Sequence, residues 1–150
     1  MDKSVFDKSH IHFNEDAKTQ EEAFRAIAKI AYEAGFVADE SVYFEGLKER
    51  EKEATTGFQD GIAIPHSKND TCLKPGIFLV RFQNAIEWNA LDEQPVHVAI
   101  ALTIPQAGGE QHLRILSKIA RKLMNEEFRS SLKTNDNVDT LYDVIAEIEI

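Results

Sequence analysis

Gly61-Ile62-Ala63-Ile64-Pro65-His66-Ser67 is a short apolar run that a proline stops, with a histidine immediately after the stop. Proline fixes its own φ, drives the preceding residue toward extended geometry and carries no N–H, so a strand is expected to end there. His66 is then presented at a rigid edge, beside backbone groups that a ladder does not use. A second histidine, His112, opens an apolar-periodic segment straight after Gly108-Gly109. Upstream, Arg50-Glu51-Lys52-Glu53-Ala54-Thr55-Thr56-Gly57 runs from charged residues into a hydroxyl and glycine turn. Imidazole has an ordinary pKa of ~6.5, so its neutral form offers one nitrogen lone pair near neutral pH while the other nitrogen holds the proton. A nucleophilic imidazole, a second imidazole, a guanidinium and the hydroxyls of Thr56 and Ser67 form a set that can hold a phosphoryl group. Arg50 supplies a planar cationic fork for phosphate oxygens. Glu51 and Asp60 repel a bare phosphate, which leaves them to orient Arg50 or to meet a partner.

The elements that must position these groups follow from pattern and caps. Val5 to Phe13 reads as a strand-like lead-in. Thr19-Gln20-Glu21-Glu22 is a capping box, with Phe24, Ile27, Ile30 or Ala31, and Ala34 at helical spacing and Gly35 as the stop. Asp39 caps a second helix that turns Val42, Tyr43 and Leu47 inward and carries Arg50 near its end. Thr55 to Asp60 reads as loop and Ile62 to Ile64 as a short strand. Ile77 to Phe82, Ile86 to Trp88 and Val96 to Ile104 read as three further strands, the last buried on both faces. The first two follow the Asn69–Gly76 turn, and Leu91 to Gln94 is another turn. Pro105 to Gly109 breaks the chain before a helix from about Glu110, with Leu113, Leu116, Ala120 and Leu123 inward. Asn125 caps a helix containing Phe128 and Leu132. Thr134 to Asn137 is loop, and Val138, Leu141, Ile145 and Ile148 mark a last helix. Helices on both sides of interspersed strands predict one α/β domain over residues 1–150, a three-layer α/β/α sandwich with a mixed sheet.

Composition narrows the function classes. The 150 residues hold 43% hydrophobic types, as a folded domain requires. Twenty-six acidic against 17 basic residues give a net charge of −9, which opposes nucleic-acid binding. The first residues hold no apolar signal core, and no apolar run approaches the ~20 residues of a membrane-spanning helix, so a cytoplasmic protein is expected. One cysteine, Cys72, allows no intrachain disulfide. Its turn-rich setting, Asn69-Asp70-Thr71-Cys72-Leu73-Lys74-Pro75-Gly76, lacks a glycine-rich phosphate cradle, so Cys72 is read as a small packed residue. His97 is read as a strand residue. His10 and His12 lack further ligands at a metal-binding spacing, and no metal or cofactor is expected. Trp88 and the phenylalanines are core or partner-surface residues.

Taken together, Arg50-Glu51 before Thr56-Gly57, then Gly61-Ile62-Ala63-Ile64-Pro65-His66, then His112-Leu113 with Leu116 and Ala120 resemble the enzyme IIA domains of the fructose and mannitol type of the phosphotransferase system. The resemblance covers essentially the whole chain. It implies that His66 receives a phosphoryl group on Nε2 from the histidine-containing phosphocarrier protein (HPr), with Nδ1–H held by a backbone carbonyl. It further implies that the group passes to a cysteine of a sugar-specific enzyme IIB, which alone connects the domain to a membrane-bound IIC. His112 would stabilise the phosphoryl group, with Arg50, Thr56 and Ser67 in support. Two positions depart from the family pattern: Phe58-Gln59-Asp60 replaces a small glycine-containing turn, and Ser67 stands where glycine is common. A fructose-type transport role is expected; the alternative is a regulatory role like that of the family's nitrogen-related members.

Overall fold

The computed structural model describes residues 1–148. A 3-10 turn at Lys8–His10 leads into β1 (Ile11–Glu15), followed by α1 (Gln20–Glu33) and α2 (Glu40–Glu53). Three short strands come next, β2 (Gly57–Gln59), β3 (Ile62–Ala63) and β4 (His66–Asn69). The long strands β5 (Gly76–Ile86) and β6 (Val96–Pro105) precede α3 (Gly109–Lys122), α4 (Glu126–Thr134) and α5 (Val138–Ala146).

Capping chemistry sets the helix ends. Thr19 accepts from the Glu22 N–H, and Glu22 reaches back to accept from the Lys18 N–H (3.1 Å). Asp39, Asn125 and Asn137 cap α2, α4 and α5 in the same way. At the end of α1, Gly35 takes φ +83°, and Phe36 N–H bonds Ala31 O while Gly35 N–H bonds Tyr32 O. That paired closure needs a left-handed residue, which glycine adopts without a Cβ penalty.

The sheet runs β1-β5-β6-β3-β2, with β4 pairing β6 beyond β3. Parallel pairs (β1–β5, β3–β6, β4–β6) mix with antiparallel ones (β5–β6, β2–β3). Side chains of β5 and β6 alternate between two cores. Phe78, Val80, Ala99 and Ala101 pack with Phe24, Ile27, Tyr43 and Leu47 of α1 and α2. Ile77, Leu79, Ile100 and Leu102 pack with Ile115, Ile119, Phe128, Leu132 and Leu141 of α3 to α5. The result is the three-layer α/β/α sandwich with a mixed sheet.

Several local expectations are corrected. The strand of the lead-in begins at Ile11, because Val5 and Phe6 form a turn closed on Asp2 O and plug the second core instead. Ile86 is the last residue of β5 rather than the start of a separate strand. Thr55 to Asp60 contains β2, joined to β3 by Asp60 (φ +57°) and Gly61 (φ +80°). Two left-handed residues in succession, Asp then Gly, make the turn whose twist matches a hairpin. Val42 is 43% exposed and Leu113 37% exposed, so both face outward; Phe44 and Ile115 are buried on those helices.

Pro65 interrupts the strand that lies along β6 without ending it. Ile62 faces Val98 and His66 faces Leu102 at the same offset, so β4 continues β3 in register along β6. Leu102 N–H donates to Pro65 O (3.0 Å), a bond that uses only the proline's carbonyl.

Candidate functional site

His66 is the first residue of β4 and only 7% exposed. Its Nδ1 lies 2.9 Å from the Ile64 carbonyl. A carbonyl only accepts, so Nδ1 carries the hydrogen and Nε2 holds the lone pair. Arg50 Nε donates to that lone pair at 3.1 Å, which requires the same tautomer. Burial holds the His66 pKa below its ordinary value of 6.5, and the Arg50 charge pushes it further down. The Ile64 hydrogen bond and the Glu53 carboxylate pull in the other direction without reversing the shift. The imidazole is therefore kept neutral, with its nucleophilic nitrogen aimed at a guanidinium.

The ring borders an open depression of about 390 Å³ lined by Gly46, Glu49, Arg50 and Glu53 of α2, by β4, and by Leu113 of α3. Gly46 lets α2 approach β4 closely. A Cβ there would lie 2.2 Å from Ser67 Oγ and 2.6 Å from Asn69 Nδ2. Ser67 is buried, accepts from Asn69 Nδ2 (2.8 Å) and shares the depression with His66.

Thr56 occupies a different place from the one its hydroxyl predicts. Its Oγ1 donates to Glu51 Oε1 (2.6 Å) and its N–H to Glu51 Oε2 (2.5 Å), so the hydroxyl hydrogen is committed beneath the site. Glu51 binds Thr56, Trp88 and Gln20, and Arg50 instead anchors on the Ala54 carbonyl (2.8 Å). Asp60 holds Arg129 and Lys133 of α4, which lowers its pKa. His112 stands in the first turns of α3, its N–H bonded to Gly108 O (3.2 Å) and its ring against Gly108. Its neighbour Leu113 is the α3 residue that lines the depression.

Glu51, expected to orient Arg50 or meet a partner, instead braces Thr56 and Trp88, and no local pattern signals the places of Gly46 and Leu113 beside His66. Trp88 offers the one visible signal for Glu51, because a buried indole N–H needs an acceptor. Away from the site, Cys72 is buried with its thiol pKa pushed up by desolvation, and Sγ rests 3.6 Å from Ser67 O. His10 is enclosed by Phe6, Phe36 and Phe78, with Nδ1–H on Ile77 O (2.9 Å). Among the described residues, no cluster of three or more His, Cys, Asp or Glu could hold a metal ion, and no helix is long and apolar enough to cross a membrane.

Residues 4–148 match the family described as "Phosphoenolpyruvate-dependent sugar phosphotransferase system, EIIA 2". The chain belongs to that family. It is 39% identical over 138 residues to the PTS system fructose-specific EIIA component of Haloferax volcanii, covering 92% of this chain and 90% of that protein. Its fold is similar to that of the nitrogen regulatory protein IIA-Ntr from Neisseria meningitidis, with a TM-score of 0.86 and 25% identity. That match covers 95% of this chain and 97% of the other. Enzyme IIAMTL in its complex with phosphorylated enzyme IIBMTL from Escherichia coli shares the fold, with a TM-score of 0.81 and 20% identity over 95% and 97% of the two chains. EIIA proteins of this family are phosphotransferase components, and the EIIA type-2 fold here frames a histidine in a defined tautomer.

Proposed function

We propose that this EIIA domain accepts a phosphoryl group on Nε2 of His66 from HPr and passes it to the cysteine of an enzyme IIB. The observation that carries this reading is the pair of bonds on one ring, Nδ1–H to Ile64 O and Arg50 Nε to Nε2, at the edge of an open depression. The Nε2 lone pair attacks phosphorus, and the N–P bond of the donor phosphohistidine breaks, its electron pair returning to the donor ring. Arg50 swings from Nε2 to the phosphoryl oxygens, where a cation is worth most as charge is transferred. In the second step a IIB thiolate attacks phosphorus, the N–P bond on His66 breaks, and Nε2 recovers its lone pair. His112 supports the onward step from α3, with Ser67 beside the ring and Thr56 bracing the turn below.

Similarity to the fructose-specific component favours a fructose-type system; the proposed domain works in the cytoplasm and connects to a membrane-bound IIC only through IIB. Likeness to the nitrogen regulatory protein supports a second reading, in which the phosphorylation state of His66 governs protein binding. Incubation with phosphoenolpyruvate, enzyme I and HPr is expected to add one acid-labile phosphate per chain, absent in His66→Ala. Transfer onward to one of a panel of purified IIB domains supports transport. Acceptance without transfer to any IIB favours regulation, and no acceptance by the wild-type chain refutes both.

A further inference from the structure

Arg50 and Glu51 are neighbours on α2, and each grips the same short turn at a different point. Arg50 Nη1 donates to Ala54 O, while the Glu51 carboxylate accepts from Thr56 N–H and Thr56 Oγ1. Two more donors converge on that carboxylate, Trp88 Nε1 at 2.9 Å and Gln20 Nε2 at 3.2 Å. From Thr56 the path reaches the nucleophile in two further bonds. Ile64 N–H donates to Thr56 O (2.9 Å), and Ile64 O receives His66 Nδ1–H (2.9 Å).

We infer that Glu51 is a positioning residue for His66: it fixes the 54–56 turn, and through it the Ile64 peptide that sets the imidazole tautomer and the reach of Arg50. The inference rests on the reading of His66 as phosphoryl acceptor. An ionised carboxylate suits this position because it only accepts, and every group that meets it here is a donor. Glutamine, of equal shape, has one oxygen and an NH₂ that would face an N–H of Thr56 or Trp88. Thr56 and Trp88 are buried, so a donor left without its acceptor is costly there and the turn must shift to relieve it. A displacement of about 1 Å at a preorganised site costs on the order of 10²-fold in rate.

The test uses the full chain with Glu51→Gln and Trp88→Phe. Trp88→Phe removes a single donor and keeps a ring against Phe24, whose centroid lies 5.3 Å from that of Trp88. Nitrogen-15 spectra of the His66 ring across the neutral pH range report its tautomer and titration. Single-turnover transfer from labelled phospho-HPr reports acceptance, and urea midpoints report folding. Glu51→Gln is expected to move His66 toward the Nε2–H tautomer and to slow acceptance on the order of 10²-fold, with HPr affinity unchanged. Trp88→Phe is expected to give a smaller change of the same sign, and it carries the test if Glu51→Gln does not fold. Lowered stability with an unaltered His66 spectrum and wild-type acceptance in a folded variant overturns the positioning role. If the wild-type chain accepts no phosphoryl group, the reading of His66 fails, while the ring spectra still decide whether Glu51 positions it.

Discussion

Replacing Arg50 by glutamine tests how one cation serves both the resting and the reacting site. In the resting state its Nε donates to His66 Nε2 at 3.1 Å, a hydrogen bond from a charged donor worth about 1.5–3 kcal/mol. In the proposed transfer the same group would act on the phosphoryl oxygens as a preorganised donor to developing charge, worth about 2.7–4 kcal/mol. Only the difference lowers the barrier, because what stabilises the ground state equally is cancelled. That difference is about 1–2 kcal/mol, so Arg50→Gln should slow acceptance from phospho-HPr about five- to thirtyfold.

The same substitution removes a cation that depresses the His66 pKa and leaves Glu53, which raises it. His66 should then titrate at higher pH in the variant than in the wild type. The rate deficit should therefore widen as pH falls through the histidine range, where the variant ring is protonated first and loses its lone pair. Single-turnover transfer at several pH values, paired with a nuclear magnetic resonance titration of the ring, measures both effects. An Arg50→Gln chain with a wild-type titration curve and a wild-type rate would refute the reasoning.

Gly46→Ala sets helix propensity, a gain of up to about 1 kcal/mol, against a Cβ 2.2 Å from Ser67 Oγ, and overpacking of about 1–3 kcal/mol should win. The urea midpoint should fall, and a raised midpoint would show that β4 yields easily. His10 and His66 both have pKa values lowered chiefly by burial, so the stability they contribute is complete above about 6.5 and is lost as pH drops below it. His10→Asn, which does not titrate, should flatten the loss between neutral and mildly acidic pH, read from urea midpoints against wild type. His112→Ala should retain phosphoryl acceptance and lose onward transfer to IIB by about 10²–10³, with part of the loss recovered in His112→Gln. Transfer at the wild-type rate in His112→Ala would reduce His112 to a helix-start residue.

What the sequence disclosed depended on whether the physics was local. Thr19, Asp39 and Asn125 announce their helices because a cap bonds a backbone N–H three residues on. β5 and β6 were legible because their apolar runs are long, whereas β2 has three residues and exists by pairing with β3. Asp60-Gly61 carried the hairpin signal, but its flanks are too short for alternation to confirm it. Val42 and Leu113 fit helical spacing yet face outward, since periodicity finds an apolar stripe without saying which of its members the neighbouring layer covers. The carboxylate of Glu51 meets Trp88 across 37 positions, a contact set by the fold and not by any local pattern.

The strand interruption at Ile64-Pro65 connects these levels. A continuous strand would commit the Ile64 carbonyl to backbone pairing and leave the His66 ring to find another acceptor. Here Ile64 N–H turns to Thr56 O, Ile64 O turns to His66 Nδ1–H, and Pro65 still supplies a carbonyl to Leu102. No donor is stranded at the break, because proline has none to lose. The β3–β4 run thus keeps its register along β6 while one peptide is diverted to orient an imidazole. The proline and the histidine that follows it are for this reason a single device, written in two adjacent residues of the sequence.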